Sequence, residues 1–428
     1  MSNSQIKNPQ GFDGFRLPKA LLDGVKAAGF TTPRPIQAET IPAGIEGRDV
    51  LGLAQTGTGK TAAFALPLLH WILKDNTRGP SALVLAPTRE LASQIAEEIK
   101  VLAKFTPLKL VTIYGGVPAF QQIQRLRKDP DIVVGCPGRV LDLIQQGRLD
   151  LSRAETLVLD EADHMFDMGF LPDIRKIMAV LPSHRQNLLF SATMPREIRG
   201  LANEILHDPH VVELASSSPA ATIEHTLLPV AERQKRDLLE HVLKNDNCNS
   251  AIVFTRTKHR TRRLADQLVK AGHRAVGLQG NMSQAQRDRA MKGFRSRRFD
   301  ILVATDIAAR GIDVSNVSHV INFDVPNTPE AYTHRIGRTG RSECTGVART
   351  FVTGEDHGWI RAVERMIGAP ILRQQVEGFE SIGEEPPLRP RQPRNGGQRQ
   401  GAPRQGGQQG QQGPQGARPR RRRRKRTG

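Results

Sequence analysis

Cysteine is scarce in this sequence: three residues in 428, at Cys136, Cys248 and Cys344, far apart and without metal-ligand spacing. That excludes a disulfide framework and a thiolate metal site, and it fits a reducing, cytoplasmic compartment. Aromatic residues make up 4% of the chain, and no strand carries the aromatic pattern that stacks successive RNA bases. Long apolar runs are missing as well. The stretch AAFALPLLHWIL (62–73) is too short to span a bilayer and is interrupted by Pro67 and His70. The opening MSNSQIKNPQ has no secretory apolar core. Finally, Asp and Glu are absent from Pro386 to Gly428, a segment with 13 Arg or Lys. Those cations carry most of the formal charge of +19 and favour a polyanion, most simply nucleic acid.

What is there is a rhythm. A chain of 428 residues exceeds one ordinary core, so two domains are expected. Short apolar runs recur and stop at polar or glycine clusters: DVLGLAQTG (49–57), ALVLAPTRE (82–90), LVTIYGG (110–116), DIVVGCPGR (131–139), TLVLDEAD (156–163) and NLLFSAT (187–193). Continuous apolar runs separated by helix-like spans predict parallel strands covered on both faces. In such sheets ligands bind beyond the C-terminal strand ends, which is where the polar clusters fall. The turn-rich ELASSSPAATIE (213–224) reads as a linker. The rhythm then restarts with AIVFTRTK (251–258), AVGLQGNMS (275–283), ILVATDIAARGID (301–313), HVINFDVP (319–326) and GVARTFV (346–352). The Gly-, Gln-, Pro- and Arg-rich end cannot bury enough apolar surface to fold alone.

Three motifs carry chemistry. AQTGTGKT (54–61) follows a strand and precedes a helix, the context of a phosphate-binding loop. Gly57 and Gly59 let backbone N–H groups face a phosphate, Lys60 neutralises it, and the Thr61 hydroxyl reaches Mg²⁺. The loop opens with Ala54 where the strict pattern has Gly. Asp160 and Glu161, at a strand end, supply the second metal anchor and a base for water, while the spacing of Asp163 points it to another segment. HRIGRTGR (334–341) offers Arg338 and Arg341 to a γ-phosphate. The second half has no phosphate loop of its own, so the nucleotide is expected between the two domains.

With these motifs in this order, over roughly residues 10–370, the sequence is identified as a member of the DEAD-box RNA helicases, named for Asp160 to Asp163. The resemblance extends to GFTTPRPIQ (29–37), PTRELA (87–92), Gly115-Gly116, Ser191-Ala192-Thr193, Gln284 with Arg287, and ATDIAARGID (304–313). It implies an α/β fold of two RecA-like parallel-sheet domains in tandem with a disordered basic C-terminal tail. The boundaries read 1–213, a linker at 214–224, 225–370, and a tail at 371–428. It implies ATP and Mg²⁺ as ligands and RNA as partner. The nucleotide set would be Phe12, Phe30, Gln37, Ala54, Gln55, Thr56, Gly57, Thr58, Gly59, Lys60, Thr61 and Asp313, with Gln37 on the base edge and Asp313 on the ribose. Thr61 and Asp160 would hold the metal. Lys60, Glu161, Arg338 and Arg341 would act in catalysis, and Asp163, Ser191, Thr193 and His334 would couple the domains. Arg89, Gly116, Gly138, Arg139, Arg287 and Thr305 match RNA-facing positions. Cys136 stands where the family usually has Thr, and Gln279 where His is common. The alternatives are a DNA-dependent ATPase and ATP-independent RNA annealing by the tail. The resemblance further implies partners in ribonucleoprotein assembly or RNA decay.

Overall fold

A computed structural model describes residues 11–54, 57–75, 79–214, 223–246, 248–309, 317–340 and 346–381. Gln55, Thr56, Asp313, Arg341, most of the expected linker and the tail from 382 onward lie outside the described residues.

The described residues form two sheets of seven strands each, and every strand pair among them is parallel. The first contains β1 (Val50–Leu53), β2 (Ala82–Leu85), β3 (Leu110–Ile113), β4 (Ile132–Gly135), β5 (Thr156–Leu159), β6 (Gln186–Ser191) and β7 (His210–Glu213), in the order β3-β4-β2-β5-β6-β1-β7. The second contains β8 (Ile223–Pro229), β9 (Ala251–Phe254), β10 (Ala275–Leu278), β11 (Ile301–Ala304), β12 (His319–Asn322), β13 (Gly346–Val352) and β14 (Leu372–Arg373), in the order β10-β11-β9-β12-β13-β8-β14. Each sheet with its helices forms one lobe.

Burial explains the unbroken apolar runs. Every residue of β2, β4, β5 and β6 is buried, because helices cover both faces. Helix Arg89–Leu102 shows how a cover is made. Its Leu91, Ile95, Ile99 and Leu102 fall at helical spacing on the buried side, and the Thr88 hydroxyl accepts the Leu91 N–H at 3.3 Å to start it. Helix Lys60–Asp75 is more deeply inserted, with Ala62 to Leu66 and Leu68 to Leu69 fully buried.

Each apolar run named above holds a strand, but three strands were not expected: β7, β8 and β14. β8 begins at Ile223, inside the expected linker, and pairs with β13 over its full length. Its polar members Glu224, His225 and Thr226 and the small residues before it hide the strand in the sequence. The second lobe also continues past residue 370, the expected start of the tail. β14 pairs with β8, Ile371 is buried, and Val376 and Phe379 pack on the second core. No helix among the described residues is long and apolar enough to cross a membrane.

Candidate active site at the strand ends

Strand order builds the site. β6 lies between β1 and β5, so the phosphate-type loop after β1, the Ser-Ala-Thr segment after β6 and the carboxylates after β5 stand side by side. In the loop, Gly57 and Gly59 take positive φ, +87° and +94°, which favours glycine. A Cβ on Gly59 would approach the Gln37 amide nitrogen to 2.6 Å. That contact fixes the role of Gln37 in this structure. Its Nε2 donates to the Gly59 carbonyl at 3.1 Å, while its Oε1 accepts the Arg34 N–H at 2.9 Å. The Arg34 guanidinium donates to the Gly57 carbonyl at 2.7 Å, a contact the sequence analysis missed. Phe12 and Phe30 stack with centroids 6.1 Å apart, Phe12 buried and Phe30 half-buried, so the pair braces this corner.

Lys60, 6% exposed, donates to the Ala54 carbonyl at 3.0 Å and lies 3.9 Å from Asp160 Oδ1. Burial pushes the Asp160 carboxyl up, and the Lys60 ammonium opposes it. Thr61 follows in the first turn of the helix. Glu161 sits at φ +53°, a left-handed conformation that costs about 1–3 kcal/mol for such a residue and marks a constrained site. Burial would raise its pKa, but His164, Lys60 and Arg338 together hold it well below the usual carboxylate range. His164 Nδ1 is 2.8 Å from Glu161 Oε2.

Asp163 turns the other way. Its Oδ2 accepts from the Thr193 N–H and hydroxyl at 2.9 and 2.8 Å, and its own N–H donates to Ser191 Oγ at 3.3 Å. Ser191 Oγ in turn donates to the Thr193 carbonyl at 2.7 Å. The second lobe meets this edge directly. His334 Nε2 lies 3.8 Å from Asp163 Oδ2, and its Nδ1 lies 3.0 Å from His164 Nε2. Arg338, 6% exposed, lies close enough for its charge to act on Glu161. The neighbouring Arg335 faces inward instead. It forms a two-pronged ion pair with Asp306 at 2.6 and 2.7 Å and also donates to Asn322 and Asp324. Spacing gave no sign of that pairing, because Asp306 reads as part of a different motif.

The residues expected to face RNA are partly engaged between the lobes. Arg287 pairs with Glu90 at 2.8 Å, and Arg89 donates to Gln284 at 3.1 Å. A Cβ on Gly116, at φ +70°, would overlap the Arg89 guanidinium. Arg139 reaches the Val117 carbonyl at 3.3 Å and Asp142 at 3.3 Å. Gly138 lies in the first turn of helix Pro137–Gln145, and Thr305 immediately follows β11. Cys136 is the N-terminal cap residue of helix Pro137–Gln145 but makes no side-chain cap, and burial pushes its thiol up to about 12.

Residues 34–201 match the family model "DEAD/DEAH box helicase", and residues 234–343 match "Helicase conserved C-terminal domain". The chain is 46% identical over 354 residues to the ATP-dependent RNA helicase CshA of Listeria monocytogenes, covering 82% of this chain and 68% of that one. It belongs to the DEAD-box helicases. As such it is an ATP-dependent RNA helicase. S. cerevisiae Dbp5 bound to RNA and ADP BeF3 is similar to this helicase with a TM-score of 0.77 at 33% identity, covering 86% of this chain and 96% of that one. A variant of the same yeast protein bound to Nup159, Gle1, IP6 and ADP gives 0.58 at 32% identity, covering 84% and 96%.

Proposed function

We propose that this helicase binds ATP at the loop after β1 and a single RNA strand along the strand-end edges of both lobes. Closure of the lobes then both bends the RNA out of a duplex and completes the hydrolytic site. One observation carries the reading: the buried row Lys60, Asp160 and Glu161 on the first lobe is met by His334 and Arg338 of the second.

The roles follow from the groups. The loop amides and Lys60 take the phosphates, with Lys60 exchanging the Ala54 carbonyl for a phosphate oxygen. Thr61 and Asp160 suit Mg²⁺, which needs only one or two protein oxygens when phosphates and water complete its octahedron. Bound there, Mg²⁺ would supply charge neutralisation on the phosphates. Glu161 orients water and accepts its proton, and Arg338 with Arg341 neutralises charge that builds during transfer. Gln37, Phe12 and Phe30 frame the base, and Asp313 takes the ribose. Asp163, Ser191, Thr193 and His334 couple the edges. Arg89, Gly116, Gly138, Arg139, Arg287 and Thr305 meet phosphates and sugars, so recognition is largely independent of sequence. ATP and RNA each favour the closed form, which makes each raise the affinity for the other. We assign the first domain to residues 1–213 and the second from β8 onward. The tail from 382 is read as a charge-reading RNA arm, and the compartment as cytoplasmic.

The test is ATP turnover with RNA, with DNA of the same sequence and with neither, beside displacement of a short RNA duplex. Turnover stimulated by RNA, together with ATP-dependent displacement, is expected. Equal stimulation by DNA, or strand displacement without ATP, would overturn it.

A further inference from the structure

His164 is named by none of the motifs, yet it stands at the centre of the site. It is 2% exposed, on the short helix Ala162–Asp167 that follows Glu161. Its two ring nitrogens are both engaged, and in opposite directions. Nδ1 is 2.8 Å from Glu161 Oε2 within the first lobe, and Nε2 is 3.0 Å from His334 Nδ1 of the second. The two imidazoles cross at 86° with centroids 4.4 Å apart, so each points a nitrogen at the other rather than stacking.

The chemistry limits what this contact can be. A carboxylate only accepts, so the His164 Nδ1 carries the proton and donates to Glu161. Two ring nitrogens at 3.0 Å need one proton between them, supplied by either ring. Around the pair stand Asp163 at 3.8 Å from His334, the Lys60 ammonium and the Arg338 guanidinium. Burial, then the neighbouring His164, hold the His334 pKa below the ordinary imidazole value, which favours its neutral ring. An imidazole is rigid. Fixing one nitrogen fixes the direction in which the other points, and a glutamate with several free torsions gains orientation from such a partner.

We propose that His164 is a positioning residue that relays lobe closure to the hydrolytic carboxylate. When the second lobe docks, His334 locks the ring and the ring locks Glu161. When the lobes part, Nε2 loses its partner and the carboxylate loses its bearing. This rests on reading Glu161 as the group that activates water, and it adds a route by which RNA-driven closure switches that group on. Asp163, bound to Thr193, reports closure to the phosphate side, whereas His164 reports it to the water side.

The experiment compares steady-state ATP turnover, with and without saturating single-stranded RNA, in the full chain and in His164→Ala, His164→Asn, His164→Gln and His334→Ala. Asparagine keeps a donor near the Nδ1 position but cannot reach His334; glutamine extends a group toward the Nε2 position. The expected result is a 5–150-fold smaller RNA stimulation in His164→Ala, the usual span of a coupling between two sites. The KM for ATP should change little, since Lys60 and the loop are intact. His164→Asn should restore the RNA-free rate but not the stimulation. The double variant His164→Ala with His334→Ala should be no worse in stimulation than His334→Ala alone, because both remove one contact. A parent-like stimulation ratio in His164→Asn overturns the proposal, and so do fully additive losses in the double variant. Thermal melting checks folding, and if His164→Ala does not fold, His164→Asn and His334→Ala carry the test alone. A parent chain without any RNA stimulation would instead overturn the function assigned above.

Discussion

The two lobes are copies of one plan put to different use. Their strand orders correspond position by position, so β1 matches β8, β5 matches β12, β2 matches β9 and β4 matches β11. Each lobe even keeps a buried lysine at the start of the helix after the matched strand, facing an aspartate just past the other. In the first lobe the pair is Lys60 and Asp160 at 3.9 Å; in the second it is Lys235 and Asp324 at 3.4 Å. The surroundings separate them. Lys60 follows glycines of positive φ, whose curled backbone leaves room for a phosphate. Lys235 follows no such loop, and its pair is closed by Glu232 at 2.9 Å from Lys235 and Arg260 at 3.0 Å from Asp324. The same ion pair is a binding site where the backbone can open around it and a structural clasp where side chains seal it.

If the second lobe serves the reaction only by what it extends across the cleft, its largest contribution should be Arg338. Arg338→Ala is expected to slow hydrolysis by about 10³–10⁵-fold, the span seen for arginines that stabilise phosphoryl transfer. ATP binding to the first lobe should fall far less. Single-turnover hydrolysis beside fluorescent-nucleotide binding separates the two, and a parent-like rate would place the cation outside the reaction.

Glu161 sharpens the contrast from the other side. Glu161→Gln keeps shape and can still hold the His164 ring, but it removes the base, for which a loss of about 10²–10⁴-fold is typical. The variant should accumulate as a closed complex with ATP and RNA, visible as slow release of labelled RNA. Normal RNA-stimulated turnover would defeat the assignment.

The paired lysines give a crossed test. Lys60→Met should reduce turnover by on the order of 10²–10³-fold, as loss of one preorganised electrostatic contact does. Lys235→Met should leave turnover per folded molecule unchanged and lower stability by about 1–3 kcal/mol, the cost of stripping a partner from a buried charged group. Arg260 and the Arg256 N–H still serve Asp324, which keeps that figure moderate. Urea unfolding and ATPase measured on both variants would expose a mistaken comparison if the effects came out uncrossed.

The sequence made the core strands legible because burial on both faces leaves no polar alternation to misread, as in β2 and β5. It hid β8, whose Glu224 is exposed and whose His225 is only partly covered, and β14, two exposed residues that pair with β8. At the site, the phosphate-type loop, the carboxylates after β5 and the basic run from His334 were legible through their spacing. Side-chain partners chosen by packing alone were not. Arg34, Asp306 with Arg335, and His164 owe their positions to tertiary packing, and no local pattern announces a partner 170 residues away, as His334 is to His164.

The smallest effect concerns Cys136, and the lobes again supply the reference. Thr88 and Thr257 stand three residues past β2 and β9, and each caps its helix by accepting an N–H, at 3.3 and 3.2 Å. At the second matched pair the symmetry fails. Thr305 follows β11, but Cys136 follows β4, and its thiol makes no cap on helix Pro137–Gln145. The backbone there is already extended, at φ −96° and ψ 139°, as a cap residue requires. Cys136→Thr should therefore need no backbone change and should raise stability by about 0.5–2 kcal/mol, the reverse of losing such a cap. The added methyl enters a site that is 7% exposed, so a gain at the lower end is expected. If the helix N-terminus also meets an RNA phosphate, the hydroxyl adds one donor there, and RNA should bind a few-fold tighter at every sequence alike. Melting temperature and binding of two unrelated RNAs read the two consequences separately. A destabilised variant would mean that the thiol's packing outweighs the cap. Tighter binding of one RNA alone would mean that this turn reads bases.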